Sequence, residues 1–315
     1  MPARPRRHSP PRGTNHRRPP ATLCGLFLCL LPLTLCAHDE RPDPIDRADP
    51  KALYEQMIRS PAHYNYTGTF TYEQGGNIQT FALASQTDGN LIAQSLEPLD
   101  GPAHSHAHRF DSRCEHRERK GAAQIGDYYN FYTRGEVRIA GHPGIEIALA
   151  PVDKYRNGFQ YVVAAESGLM LRAIALTPGR KMVERTQFVS LDYRPHTADS
   201  SPAPLASRAP AQVACERLRI DNGWAASWTP DGFKLVDSSL QDDRAALVYS
   251  DGLATFSVFI ESVLESFLPA GTARRGATTV YLNYLADEST TYLVSVVGEI
   301  PFATAERVLA SLHRR

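Results

Sequence analysis

At 315 residues, with 42% hydrophobic and 22% charged residues, the chain is long enough for two globular domains. Its 34 Lys and Arg match 34 Asp and Glu, but six arginines and no acid fall in residues 1–37, which leaves 28 bases against 34 acids in the rest. That balance excludes the basic surface a nucleic-acid binder needs.

Residues 1–37 have the layout of an export signal: an Arg-rich start (Arg4, Arg6, Arg7, Arg12, Arg17, Arg18), the apolar run Leu23–Cys36, and then small Ala37. The run falls short of the ~20 apolar residues a bilayer span needs, and Pro32 interrupts it. A cleaved signal peptide is expected, with no spanning segment in the mature chain. Leu33–Cys36 has the outline of a lipidation box, although Leu35 is bulky where a small residue precedes the lipidated cysteine. Lipidation of Cys36 therefore stays open. Cys24, Cys29 and Cys36 lie in the signal, so Cys114 and Cys215 remain. An oxidising envelope permits one disulfide between them, or two free thiols.

A Pro- and Asp-rich connector (38–48) leads to Asp49-Pro50, a cap followed by proline at the first helical position. Leu53, Met57 and Ile58 recur at helical spacing and predict an amphipathic helix to Ser60 whose stripe is core. From Tyr64 the period changes to two: Tyr66, Gly68, Phe70 and Tyr72 alternate with threonines. Gly75-Gly76-Asn77 and Asp88-Gly89-Asn90 then turn the chain into strands at Ile78–Ser85 and Leu91–Leu96. Further strands are predicted at Glu136–Ala140, Gly144–Leu149, Gly158–Ala164, Leu169–Leu176 and Met182–Tyr193. Glu166-Ser167-Gly168 and Thr177-Pro178-Gly179 serve as turns. The first domain (49–194) is thus expected to be a strongly curved sheet or half-open barrel wrapped on a helix, whose concave face is either filled or left open for an apolar ligand.

Residues 195–213, rich in Pro, Ser and Ala, read as a linker, and a smaller domain (214–315) follows. It opens with the turn Thr229-Pro230-Asp231-Gly232, crosses a polar loop to a strand at Ala246–Tyr249, turns at Ser250-Asp251-Gly252 and continues along Leu253–Glu261. Strands at Thr278–Tyr284 and Thr291–Gly298 precede a closing helix, with Pro301 near its first turn and Phe302, Ala305, Leu309 and Leu312 on one face. The expected class is α+β and mostly antiparallel β.

No nucleophile–base motif, phosphate-cradling glycine loop or zinc-protease signature is present, so an enzyme is not expected and no cofactor is implied. His104, His106 and His108 share a face if their segment is a strand, but two-residue spacing matches structural zinc patterns poorly, which leaves them weak metal candidates. Asp242-Asp243 reads as a solvated loop and Glu184-Arg185 as surface charge. Tyr155, Phe159 and Tyr161 alternate along one predicted strand and either line an apolar groove or fill the barrel. In the second domain Phe256 and Val258 share one face and Phe259 takes the other, where a one-sided sheet would expose it to an amphipathic peptide. Tyr249 and Asp251 of the same segment, with Arg274 and Arg275 as rim charges, complete the candidate partner contacts.

Three motifs of the second domain carry a resemblance: W-x-P-x-G-F (Trp228–Phe233), Y-S-D-G (Tyr249–Gly252) and F-S-V-F (Phe256–Phe259). In the first domain they are joined by the turn Leu99–Pro102 and by residues 128–173, which hold an R-I-A-G turn and D-x-Y-R-x-G-F-x-Y. Val297–Pro301 and Thr304–Val308 complete the order. The chain resembles the RseB/MucB family over nearly all of its mature length. The resemblance implies a periplasmic protein whose first domain is similar to the lipoprotein carriers LolA and LolB. It implies a negative regulator of the sigma-E envelope stress response, which binds the periplasmic part of a membrane-spanning anti-sigma factor and hides it from site-1 proteolysis. Lipoprotein acyl chains or lipopolysaccharide would displace it. Homo-oligomerisation stays open, and the alternative is a LolA-like lipoprotein or lipid carrier. Two departures from the family pattern stand out: His104–Arg109 replaces a strand with Arg and Glu, and the stretch between Cys114 and Tyr128 is shorter.

Overall fold

The computed structural model describes residues 49–88, 91–101, 106–111, 125–197, 220–263, 269–287 and 290–315. The signal peptide, the connector, the Gly89-Asn90 turn, His104, Cys114, nearly all of the linker and Cys215 lie outside those residues, as do the side chains of His106 and His108.

Helix α1 (Pro50–Arg59) begins where the sequence predicts, because Asp49 accepts the Lys51 N–H at 3.0 Å and Pro50 occupies the first turn. Tyr54 and Met57 are its buried residues, with Leu53 and Ile58 partly buried beside them. Among the described residues nine strands form the first sheet, all neighbours antiparallel, in the order β4-β3-β2-β1-β9-β8-β7-β6-β5. They are β1 (Tyr64–Gln74), β2 (Asn77–Asp88), β3 (Leu91–Pro98), β4 (His106–Asp111), β5 (Tyr129–Ile139), β6 (His142–Pro151), β7 (Gly158–Ala164), β8 (Met170–Leu176) and β9 (Met182–Pro195).

The sheet is apolar on both faces. On one, Ile147, Leu149, Phe159 and Val163 pack under Tyr54 and Met57 of α1. On the other, Tyr66, Val162, Leu171, Phe188 and Leu191 form a second cluster. Strand β5 serves both. Its register slips between Thr133 and Gly135, so that Arg134 is an extra residue facing no partner on β6. Tyr129 and Phe131 therefore face α1, while Val137 and Ile139 join the second cluster. The bent β5–β6 hairpin reaches β9, where His142 Nε2 lies 2.8 Å from the Leu191 carbonyl oxygen. A second bulge leaves Val189 exposed, and Phe188 and Leu191, three apart, then share a face.

The second sheet runs β11-β12-β13-β16-β15-β14. Its strands are β11 (Lys234–Gln241), β12 (Arg244–Ser250), β13 (Thr255–Val263), β14 (Gly271–Arg275), β15 (Thr278–Asp287) and β16 (Thr290–Gly298). Lys234–Gln241, expected to be loop, is an edge strand. Asp242 and Asp243, both at positive φ, form its two-residue hairpin turn to β12, solvated as expected. Helix α2 (Phe302–Ala310) packs on β15 and β16 with Pro301 as its cap, and Ala305, Val308 and Leu309 are buried. Leu312, expected on the helix, lies past its end in β17 (Leu312–Arg314), which pairs with β10 (Trp224–Ala226). These elements close one core: Phe256, Val258 and Ile260 of β13 with Val294 and Val296 of β16 under α2. The α+β, mostly antiparallel class holds throughout.

Candidate functional site

The second sheet is covered on one face. On the other, Ala246, Phe259, Ser295 and Leu282 stand opposite one another across β12, β13, β16 and β15, with Val248, Ser257, Val297 and Val280 in the next row. None of the eight is buried, and Phe259 is 47% exposed. A contiguous apolar sheet face of this kind marks a surface made to be covered. The Arg244–Glu261 ion pair (2.7 Å) borders it. At the far edge Arg275 is exposed, but Arg274, expected as a rim charge, turns to the covered face instead: it donates to the buried Thr279 hydroxyl and its guanidinium sits 4.6 Å above the Phe302 ring, where burial lowers its pKa.

The other candidates meet at the seam between the two sheets. Arg156, in the loop between β6 and β7, is fully buried. Its Nη1 donates to Asp251 Oδ2 at 2.9 Å, its Nη2 donates to the Asp231 carbonyl, and Asp153 Oδ2 lies 3.0 Å from Nη2. Three rings enclose the guanidinium: Tyr128 (4.8 Å), Phe233 (5.3 Å) and Tyr129 (5.7 Å). Asp251 is equally buried and accepts from Leu253 N (2.9 Å), Ala254 N (2.8 Å) and Tyr129 OH (3.3 Å) as well. Burial pushes its carboxyl above the usual range, against the pull of those N–H groups and of Arg156. The Tyr129 phenol is raised strongly by burial and by the Asp251 charge. Such a pair is tolerable in an interior only because nearly every lone pair and N–H has a partner.

This geometry corrects three expectations. Asp251 cannot be a partner contact while it is sealed against Arg156, and Tyr249 is buried with its ring stacked on Phe256 at 5.1 Å. Tyr155 lies ahead of β7 and so does not share a face with Phe159 and Tyr161. Its ring packs 5.1 Å from Trp228, its hydroxyl accepts from Arg307, and its carbonyl accepts from Thr304. Phe159 and Tyr161 stack on each other beneath α1, with Tyr54 6.0 Å from Tyr161.

Glu184, read as surface charge, also belongs to the seam. Its Oε2 accepts from Ala277 N at 2.9 Å, in the β14–β15 turn, and Gly276 there has no room for a Cβ beside it. Burial first, and then Glu184, push the Tyr72 phenol up to about 12. Glu299 follows β16, and the Asn157 side chain donates to its carbonyl oxygen at 3.2 Å. Its carboxyl is raised to about 6 by burial first, then by Glu184 and Asp251. Among the described residues no group of three or more His, Cys, Asp or Glu could hold a metal ion.

Arg156, Asp153 and Tyr155 come from the D-x-Y-R motif, Trp228, Asp231 and Phe233 from W-x-P-x-G-F, and Asp251 from Y-S-D-G. The segments that set this sequence apart are thus the ones that meet at the seam. Comparison with known proteins agrees. The family model described as the MucB/RseB N-terminal domain matches residues 49–114 and 105–209, and that of the MucB/RseB C-terminal domain matches 219–313. The chain is 28% identical over 296 residues to the sigma factor AlgU regulatory protein MucB of Pseudomonas aeruginosa, covering 84% of this chain and 91% of that one. It is 28% identical over 323 residues to the sigma-E factor regulatory protein RseB of Haemophilus influenzae, covering 94% and 99%. The solved complex of Pseudomonas aeruginosa MucA and MucB holds a chain of similar structure, with a TM-score of 0.69 at 27% identity over 85% of this chain and 99% of that one. With both family models matched in order across its length, the chain belongs to the MucB/RseB family.

Proposed function

We propose that this chain is a periplasmic negative regulator of an envelope-stress sigma factor, exported by cleavage of residues 1–37. It binds the periplasmic part of a membrane-spanning anti-sigma factor and shields it from the first proteolytic cut. The observation that carries this reading is its similarity, across both domains, to MucB in complex with MucA. The two domains would be residues 49–194 and 214–315, joined by the linker 195–213. The open apolar face around Phe259, with Arg275 at its edge, is the surface best suited to the partner. Release by lipoprotein acyl chains or lipopolysaccharide is supported by the family resemblance.

The test is a protection assay, in which the periplasmic fragment of the host's anti-sigma factor is cut by its site-1 protease with and without this protein. Slower cleavage is expected, together with weaker protection by Phe259→Ser at unchanged Tm. Unchanged cleavage in the presence of folded protein would refute the regulatory reading. Full protection by Phe259→Ser would instead remove the docking face alone.

A further inference from the structure

One cluster on the seam faces the solvent. Tyr155 of the β6–β7 loop and Trp228, ahead of β11, meet with their ring centres 5.1 Å apart, and Arg307 of α2 lies against both. Its guanidinium carbon sits 4.0 Å from the centre of the Trp228 ring and 5.5 Å from that of Tyr155, and its Nη1 donates to the Tyr155 hydroxyl at 2.8 Å. Lys154 brings its Nζ to 5.6 Å from the same Tyr155 ring. Both cations are exposed, and Trp228 is partly buried. Among the described residues neither cation has a carboxylate within ion-pair distance. Asp153, beside Lys154 in the chain, has both oxygens taken up by the buried Arg156 and by the Tyr155 N–H. Two positive charges thus stand uncompensated beside a pair of aromatic rings.

The ring stack and the tyrosine bond hold Arg307 from one end, and its Nε and Nη2 have no hydrogen-bond partner among the described residues. A planar fork held in that way matches a carboxylate, and the rotamer freedom that a loose arginine loses on binding is already lost in folding. Trp, Tyr and Arg gathered at one point are also the residues on which protein–protein binding energy concentrates. An anionic membrane surface is a poorer match: it attracts runs of roughly 4–8 basic residues, whereas this chain outside residues 1–37 has 28 bases against 34 acids. We infer that Lys154, Tyr155, Trp228 and Arg307 form a docking platform for an acidic segment of a protein partner, with one Asp or Glu side chain paired to the Arg307 fork. Two of the four residues come from each domain, so the platform is complete only where the domains meet. For its partner it rests on the regulatory reading, in which that segment belongs to the periplasmic part of the anti-sigma factor. It does not rest on the face around Phe259, which lies on the side of the second sheet away from α2.

The test is calorimetric titration of the purified protein with the periplasmic fragment of the host's anti-sigma factor. Arg307→Gln is expected to weaken binding about tenfold and Lys154→Gln, at an exposed position, about threefold, both with a flatter salt dependence than the wild type. One fragment variant with a single Asp or Glu changed to Asn or Gln is expected to lose about tenfold against the wild type and nothing further against Arg307→Gln. An arginine that only braces the seam would show no such coupling. Equal binding by the wild type and both variants overturns the platform and leaves the regulatory reading standing. Weaker binding by Arg307→Gln with no coupled carboxylate in the fragment overturns it too, and makes Arg307 a brace. A fragment that the wild type does not bind overturns the regulatory reading and the platform with it.

Discussion

Asp251→Asn removes one charge from the seam and leaves its shape intact. The amide oxygen can still accept the Leu253 and Ala254 N–H groups that Oδ1 accepts in the wild type, so the loop retains its internal bonds. What is lost is the countercharge to Arg156, whose side chain is wholly buried. Breaking a buried ion pair from one side costs about 3–5 kcal/mol. Asp153 stays 3.0 Å from Nη2 and is partly exposed, which puts the expected loss at the low end, about 3 kcal/mol. For a chain of this size that is a fall of roughly 6–12 °C in Tm. Arg156→Met should cost a similar amount because it strands Asp251, while the double variant, with no buried charge left facing another, should lose about 2 kcal/mol less than the two single losses together. Urea unfolding followed by tryptophan emission measures all four corners of the cycle. A coupling below about 0.5 kcal/mol would refute the claim that this pair holds the two sheets together.

Two further expectations concern backbone geometry. Gly232 has φ +89 and faces the Tyr128 ring with no space for a Cβ, whereas Gly75 has φ +56 and open space around it. Gly232→Ala should therefore cost about 3 kcal/mol and Gly75→Ala about 1 kcal/mol, read from urea midpoints. Equal losses would show that Tyr128 does not press on the turn. Asp49→Ala removes the α1 cap and should lower stability by about 1 kcal/mol, and no change in the urea midpoint would show that the cap is idle.

Most of the strands and both helices are legible because their residues alternate or recur with a clear period, as in Tyr64–Gln74 and Gly158–Ala164. The two edge strands of the second sheet are not. Half of the side chains of Lys234–Gln241 and four of the five in Gly271–Arg275 are exposed, so no clear apolar alternation is written into them, and their β structure comes from the neighbour they pair with. The seam is hidden for another reason. Arg156 and Asp251 are 95 positions apart, and each alone reads as ordinary surface charge, since Arg and Asp are rarely buried unpaired. Only the motifs they sit in pointed to them. Phe259 was legible as the odd residue out in its strand, and its exposure follows from the same parity.

Strand β5 looks like one unbroken amphipathic strand, with every odd residue from Tyr129 to Ile139 the more sheltered one. Yet its two ends belong to opposite faces of the sheet, and the single extra residue Arg134 makes the change. That residue acts like a shift of reading frame. Absorbed into the regular pleat it would turn Val137 and Ile139 towards α1 and drive Glu136 and Arg138 into the apolar cluster around Phe188, whereas deleting it would leave every pairing with β6 and both faces as they are and remove only the bulge. Between Thr133 and Gly135 the strand can hold one bulged residue or none, but not one that takes a place in the pleat. Relatives that keep this two-sided core should therefore vary the residue at 134 freely, and where it is absent the strand should run without a bulge and with the same residues on each face.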